Sequence, residues 1–221
     1  MERDQTLTEE VEKYCQKIGI DIVGFADLSL FDRYSEENRP QAHLEDSKTV
    51  IIIGFYLYDI LLDAWSHKKG EGVWGYQFAD AIIEQLCHKV RRFLLKKGFN
   101  SVVIPYNPGL FLKEAAALAG IGPIGKNNLL ITEKFGSQVR LRALATTAPL
   151  IFGEPITESE FCKDCNICIE SCPAKAFSDG KFIKEKCYEY LETHRRKLSD
   201  YTIIECNVCI ESCPIGKKRD D

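Results

Sequence analysis

Residues 162–173 read CKDCNICIESCP, and residues 206–214 read CNVCIESCP. One motif is written twice. The first copy is C-x2-C-x2-C-x3-C-P, through Cys162, Cys165, Cys168, Cys172 and Pro173. The second copy keeps Cys206, Cys209, Cys213 and Pro214 but has Ile203 at the position that matches Cys162. Three cysteines two residues apart wrap a short loop around one iron–sulfur cubane, so that each thiolate reaches a different iron. The fourth cysteine, ahead of a proline, is carried away to a second cluster. Two clusters need eight thiolates, and the two copies supply seven. Cys187, between them, is the one other cysteine in the C-terminal segment and makes the eighth.

This arithmetic assigns one [4Fe–4S] cluster to Cys162, Cys165, Cys168 and Cys213, and the other to Cys172, Cys187, Cys206 and Cys209. The spacing is that of a bacterial two-cluster ferredoxin with one ligand moved outside the repeat. The competing reading is zinc, since two C-x2-C pairs make a four-cysteine site. Zinc does not call for a third cysteine two residues on, or for x3-C-P, in both copies.

Composition narrows the setting. The chain has 221 residues and ten cysteines, two of them (Cys15 and Cys87) in the first 160 residues and eight after that. The shift divides the chain at Phe152-Gly-Glu-Pro-Ile, into residues 1–152 and 153–221. The net charge of −4 lacks the basic surplus that a nucleic-acid grip requires. The terminal run Gly-Lys-Lys-Arg-Asp-Asp reads as a solvated end. The longest apolar stretch, Thr49–Leu57, is strand-sized and too short for a membrane span. The charged opening MERDQTLTEE is not a signal peptide. These features predict a cytoplasmic protein without a membrane partner. In a reducing compartment ten cysteines point to metal or redox chemistry before disulfides.

The first 152 residues alternate helix and strand signals. Thr6 to Ile18 carries a helical stripe (Leu7, Val11, Tyr14, Cys15, Ile18), with Thr6 and Glu9 as a capping box and Gly19 as its stop. Asp21–Ala26, Val50–Leu57, Ser101–Pro105, Leu129–Thr132 and Val139–Thr147 read as strands. Gln77 to Lys97 and Leu110–Ala119 read as helices, ending at Gly98 and Gly120. The pattern predicts a mixed α/β (α+β) fold around a central sheet. Cys15 and Cys87 fall on apolar helix faces and are expected in the core.

Residues 120–127, GIGPIGKN, match G-x-G-x-x-G and nearly match a phosphate-binding loop. Such loops follow a strand and open a helix. Here a helix precedes and an apolar Leu129-Leu130-Ile131 follows, so a nucleotide is not expected. Two readings stay open: a tight connection that needs positive φ, and a loop on which backbone closely approaches a flat or bulky group.

The segments KIGIDIVGFADL, TVIIIGF, GYQFADAIIEQLCHKVRRFLLKKGF and AGIGPIGKNNLLITEKFGSQVRL, followed by the double-cysteine tail, resemble the epoxyqueuosine reductase family and, more distantly, the reductive dehalogenases. The resemblance covers essentially the whole chain. It implies a nitroreductase-like, corrinoid-binding α/β domain followed by a ferredoxin-like domain whose two clusters pass electrons to cobalt. It also implies that Gly122, Gly125, Lys126, Asn127 and Asn128 line the corrinoid (cobalamin), with the cluster of Cys206 and Cys209 near it. A family member uses an intervening cysteine as a ligand, in agreement with Cys187. No D-x-H-x-x-G is present to supply a histidine to cobalt, and His43, His67, His88 and His194 are scattered along the chain.

Two departures shape the expected chemistry. The family's aspartate proton donor lies fourteen residues before the first glycine of the loop; here that position is Tyr106, in PYNPG. A tyrosine, with a reference pKa of about 10, is a weaker acid that a nearby cation would strengthen. Reductive dehalogenases resemble this chain in using a tyrosine. The chain also stops eight residues after Cys213, where the tRNA-acting enzymes continue into helical repeats. With the net negative charge, tRNA is therefore not expected as a partner. Two functions follow. In one, a reductase takes electrons from a low-potential donor of ferredoxin or flavodoxin type and reduces a small molecule. In the other, an electron-transfer protein reactivates a partner such as a corrinoid protein and has no substrate of its own.

Overall fold

The computed structural model describes residues 3–67 and 74–216. In chain order the elements are α1 (Gln5–Lys17), β1 (Ile22–Ala26), β2 (Thr49–Tyr56), β3 (Trp65–His67), β4 (Trp74–Gln77), α2 (Phe78–Lys96), β5 (Ser101–Val103), α3 (Leu112–Leu118), β6 (Val139–Thr146), α4 (Ile167–Glu170), β7 (Phe177–Ser178), β8 (Lys181–Phe182), α5 (Lys184–Thr193), β9 (Arg196–Ser199), β10 (Thr202–Ile204) and α6 (Val208–Glu211). They form two compact units. One holds Met1–Phe55, Ile82–Pro123 and Arg140–Glu158; the other holds Tyr56–Ala81, Ile124–Val139 and Ser159–Asp221. No helix among the described residues is long and apolar enough to cross a membrane.

The first unit is built on a four-stranded sheet of order β1-β2-β6-β5, with β1 antiparallel to β2 and β5 antiparallel to β6. The run Val50-Ile51-Ile52-Ile53 is fully buried on consecutive residues, so both faces of β2 are covered. That is why the strand is continuously apolar and does not alternate. Helix α1 buries Leu7, Val11 and Cys15 along one stripe, and Tyr14 stacks on Phe93 of α2 at 4.3 Å. Gly19, Gly98 and Gly120 stop their helices with φ of +87°, +87° and +73°, as expected. The start of α1 differs from expectation. The cap is Asp4, whose carboxylate accepts from Leu7 N at 2.8 Å, so Thr6 lies inside the helix. An aspartate one residue outside the helix meets the free N–H groups of the first turn directly.

Phe152–Ile156 has no regular structure. Gly153 N donates to Phe25 O and Ile156 N donates to Ala117 O.

The second unit contains the sheet β4-β3-β10-β9 and the two-residue hairpin β7-β8. Helices α4 and α6 are the structural image of the sequence repeat. Each begins after an asparagine, Asn166 or Asn207, with nearly equal backbone angles (φ −127°, ψ 11° and φ −125°, ψ 18°), and the two helices touch. Leu129–Thr132, expected as a strand, forms only two isolated bridges, Ile124 to Leu130 and Thr132 to Gly136. The left-handed Asn128 (φ 62°) turns the chain just before it, and Thr132 is tied back to Gly136, which leaves no length for a ladder. The basic run expected as a solvated end lies, beyond Gly216, outside the described residues.

Candidate metal centres

Cys162 ends a 3-10 turn, Glu160–Cys162, and Cys168 lies in α4. One cavity of the second unit is lined by Cys162, Cys165, Cys168 and Cys213, with Asn127, Ile131, Phe161, Pro214 and Ile215 completing it. Three of these cysteines come from the first copy and one from the second. The Cys168 thiol is raised first by burial, then by the charges of Cys162, Cys213 and Cys165, so these four are electrical neighbours.

The other cysteines form a second neighbourhood. Burial, followed by the charges of Cys206, Cys172, Cys187 and lastly Cys168, pushes the Cys209 thiol up to about 12. Cys187 is raised by burial and then by Cys206, Cys172 and Glu205. The thiols of Cys168, Cys187 and Cys209, raised by burial and by neighbouring cysteines, favour the protonated form until a cation compensates them, which is the electrostatic character of a metal–thiolate site.

Among the described residues, no three His, Cys, Asp or Glu side chains converge closely enough to hold a single metal ion. A mononuclear zinc draws its sulfurs in with bonds of about 2.3 Å. A cubane gives every thiolate its own iron, and a cavity walled by four cysteines supplies the four sulfur donors that it calls for.

The glycine loop serves these cysteines. Lys126 Nζ donates to Lys163 O at 3.3 Å, Cys165 O at 3.0 Å and Asn166 Oδ1 at 2.9 Å, all in the first cysteine run. Asn127 is 4% exposed. Its Nδ2 donates to Ser137 Oγ at 2.8 Å and to Cys209 O, in the second run, at 3.5 Å. The side-chain oxygen of Asn127 accepts from Leu129 N, and Gly125 N donates to Leu129 O, closing the turn. A Cβ on Gly125 would lie 2.6 Å from Ile131 Cγ1, so the loop's own packing requires this glycine. Gly122 is buried, and Asn128 takes the left-handed conformation. That the lysine and asparagine reach the cysteine runs is not legible in GKN, because nothing there says which carbonyls it faces.

Tyr106, in the first unit, follows β5 and is 42% exposed. The guanidinium of Arg142 lies 4.0 Å from its ring centroid and that of Arg140 lies 5.3 Å away. Arg142 is buried on β6. It donates to the Glu84 carboxylate through Nε (2.9 Å) and Nη2, and to Ile104 O at 3.0 Å. Sequence reasoning did not single out either arginine. Cys15 and Cys87 are fully buried among apolar side chains, and burial pushes each thiol up to about 12. Of the histidines, His43 is lowered by burial, His88 lies 3.5 Å from Glu84, and His194 stacks on Tyr190.

The chain has epoxyqueuosine reductases as homologues over most of its length. That of Lactococcus garvieae is 25% identical over 217 residues, and that of Listeria monocytogenes is 31% identical over 220. Each alignment covers 84% of this chain; the chain spans 61% and 56% of the two relatives. A tetrachloroethene reductive dehalogenase of Dehalobacter restrictus is 35% identical over 99 residues, 44% of this chain and 18% of the relative. No family model matches. The fold is that of solved epoxyqueuosine reductases. The Streptococcus thermophilus structure matches 98% of this chain and 68% of its own at TM-score 0.72 and 20% identity, and another contains a tRNA stem loop. A reductive dehalogenase described as B12-dependent matches 93% of this chain and 31% of its own at TM-score 0.69 and 17% identity.

Proposed function

We propose that the protein is an iron–sulfur reductase resembling epoxyqueuosine reductase, which passes low-potential electrons through two [4Fe–4S] clusters to a bound corrinoid and reduces a small molecule. What carries this reading is the cavity lined jointly by Cys162, Cys165 and Cys168 of one copy and Cys213 of the other. A fourth ligand that crosses from the other copy is the arrangement of a two-cluster ferredoxin. The second cluster is assigned to Cys172, Cys187, Cys206 and Cys209. Residues 1–152 are proposed as the corrinoid-binding part and 153–221 as the ferredoxin-like part.

When bound, the clusters supply one-electron transfer and the corrinoid supplies a cobalt centre able to reduce an electrophilic carbon. The chain's own residues do the rest. The cysteine loops hold each thiolate in a partly dry setting, and Lys126 and Asn127 fix the carbonyls of those loops. With the Lys126 and Asn127 side chains so engaged, the share of the loop in corrinoid binding falls to the main chain of Gly122 to Asn128. Tyr106 is the proposed acid. The guanidiniums of Arg142, itself paired with Glu84, and of Arg140 lie beside its ring as the nearby cations that a tyrosine acid calls for. Ten free thiols agree with work in the reducing cytoplasm. The donor is proposed as a ferredoxin or flavodoxin type protein. The net charge of −4 does not favour tRNA as the substrate.

Anaerobic purification with iron, sulfide and cobalt analysis tests the reading. About eight irons per chain, brown colour and uptake of cobalamin are expected. A colourless protein with stoichiometric zinc sinks the cluster assignment. Iron without cobalamin uptake sinks the corrinoid and leaves an electron carrier for a partner protein. Tyr106→Phe is expected to remove turnover and leave iron content intact; undiminished turnover rejects the acid.

A further inference from the structure

The two cysteine runs are near copies in sequence, yet their electrical surroundings differ. In the first run Lys163 and Asp164 offset each other. The charge added from outside is the Lys126 ammonium, bonded at once to Lys163 O, Cys165 O and Asn166 Oδ1. Asn166 caps α4, so the ammonium sits at the turn between Cys162 and Cys168. At the second run the neighbouring loop residue is neutral: Asn127 gives an amide N–H to Cys209 O. In the second run Ile204 and Glu205 stand where the first has Lys163 and Asp164, so its own acidic residue has no lysine beside it in sequence.

A reduced cluster carries one more negative charge than an oxidised one. A cation beside the loop stabilises the reduced form and raises the potential, and an anion does the opposite. Resting on the two-cluster reading, we propose that Lys126 sets the two clusters apart in potential. It makes the cluster of Cys162, Cys165, Cys168 and Cys213 the easier one to reduce. The lysine of GKN is then an electrostatic positioning residue for the first cluster and not a side-chain ligand of the corrinoid. The three acceptors also explain why a lysine stands there: an ammonium carries three N–H donors, and all are used on one loop.

The test is a redox titration of the anaerobically reconstituted full chain, followed by electron paramagnetic resonance, with iron counted on the same samples. Wild-type protein is expected to show two midpoints. Lys126→Gln, which keeps a donor and removes the charge, is expected to lower the higher midpoint and leave the other in place. At the wild-type midpoint the reduced-to-oxidised ratio of that cluster should fall about tenfold, a shift of about 59 mV for one electron. Lys126→Arg should hold the wild-type value. Unmoved midpoints in Lys126→Gln, or an equal shift of both, overturn the proposal. So does loss of half the iron in both Lys126→Gln and Lys126→Met, which makes the lysine a loop anchor and nothing more. Wild-type protein that takes up no clusters instead overturns the function on which the proposal stands, and iron analysis tells the two failures apart.

Discussion

Ile203 stands where a symmetric repeat has a cysteine, and its surroundings say why. The matching residue of the first copy, Cys162, ends a 3-10 turn at the rim of a cavity. Ile203 lies in β10, 4% exposed, opposite Trp65 of β3 and Lys197 of β9. A strand interior holds its backbone in a ladder and cannot fold a loop around a cluster, so the ligand has to come from elsewhere. The sequence count names Cys187 as the source, and the charges that raise Cys187 come from Cys206 and Cys172. Cys187→Ser is therefore expected to cost one cluster of two, about half the iron, in anaerobically reconstituted protein. Cys87→Ala serves as the control and should keep it all; full iron in Cys187→Ser would return the eighth ligand to an unknown source. Cysteine spacing is legible because the chemistry is written in consecutive residues. Lys126 and Asn127 were not legible as partners of the cysteine runs, because their acceptors lie 37 and 82 residues further along the chain.

Elements were legible where their pattern is self-contained. The stripe of α1, the apolar run of β2 and the glycine stops are local facts, and each lies within a residue or two of expectation. Leu129–Thr132 failed as a strand because strand propensity says nothing about whether a neighbouring edge is available. The packing of α1 and α2 was also beyond a local reading. It brings Tyr14 onto Phe93 and sets Cys15 and Cys87 close enough that the first thiol raises the second. Burial is the larger cause, and it holds both thiols up to about 12. The sign follows from linkage. In the unfolded chain these thiols ionise near the ordinary value of 9.0, whereas in the folded chain they stay neutral to about 12. Their contribution is complete below pH 9 and is lost as the pH climbs toward 12, on the order of 1 kcal/mol per pH unit for each. Urea midpoints at pH 8 and pH 10 should therefore fall more steeply for wild type than for the Cys15→Ala/Cys87→Ala double variant. Equal slopes would mean that neither thiol is kept neutral by the core.

At the scale of the molecule, the two units draw their stability from different sources. The first buries long apolar side chains from a four-stranded sheet and three helices, enough for a conventional core. In the second, the stretch from Ser159 to Gly216 is made of four-residue helices, strands of two to four residues and the single longer helix α5. Its buried apolar residues are Cys168, Ala176, Ile203, Ile204 and Cys213, and two of these five are proposed ligands. The rest of the unit adds Leu57, Leu62, Leu130, Ile131 and Phe135, but the stretch itself buries too little to offset the entropy of ordering it, and metal–thiolate bonds are the natural supplement. The local pattern could not reveal that Tyr56–Ala81 and Ile124–Val139 group with the cysteine segment, since sheet partners such as β3 and β10 are far apart in sequence. The division of stability is open to hydrogen exchange on the full chain, before and after iron is stripped with an anaerobic chelator. Amides of β10, α4 and α6 should lose protection with the iron, while those of β1, β2 and β6 keep theirs. Protection that survives in β10, α4 and α6 would mean that the cysteine segment folds on its own packing. Protection lost equally in β2 would mean that the sheet of the first unit also depends on the clusters, contrary to what its buried isoleucines imply.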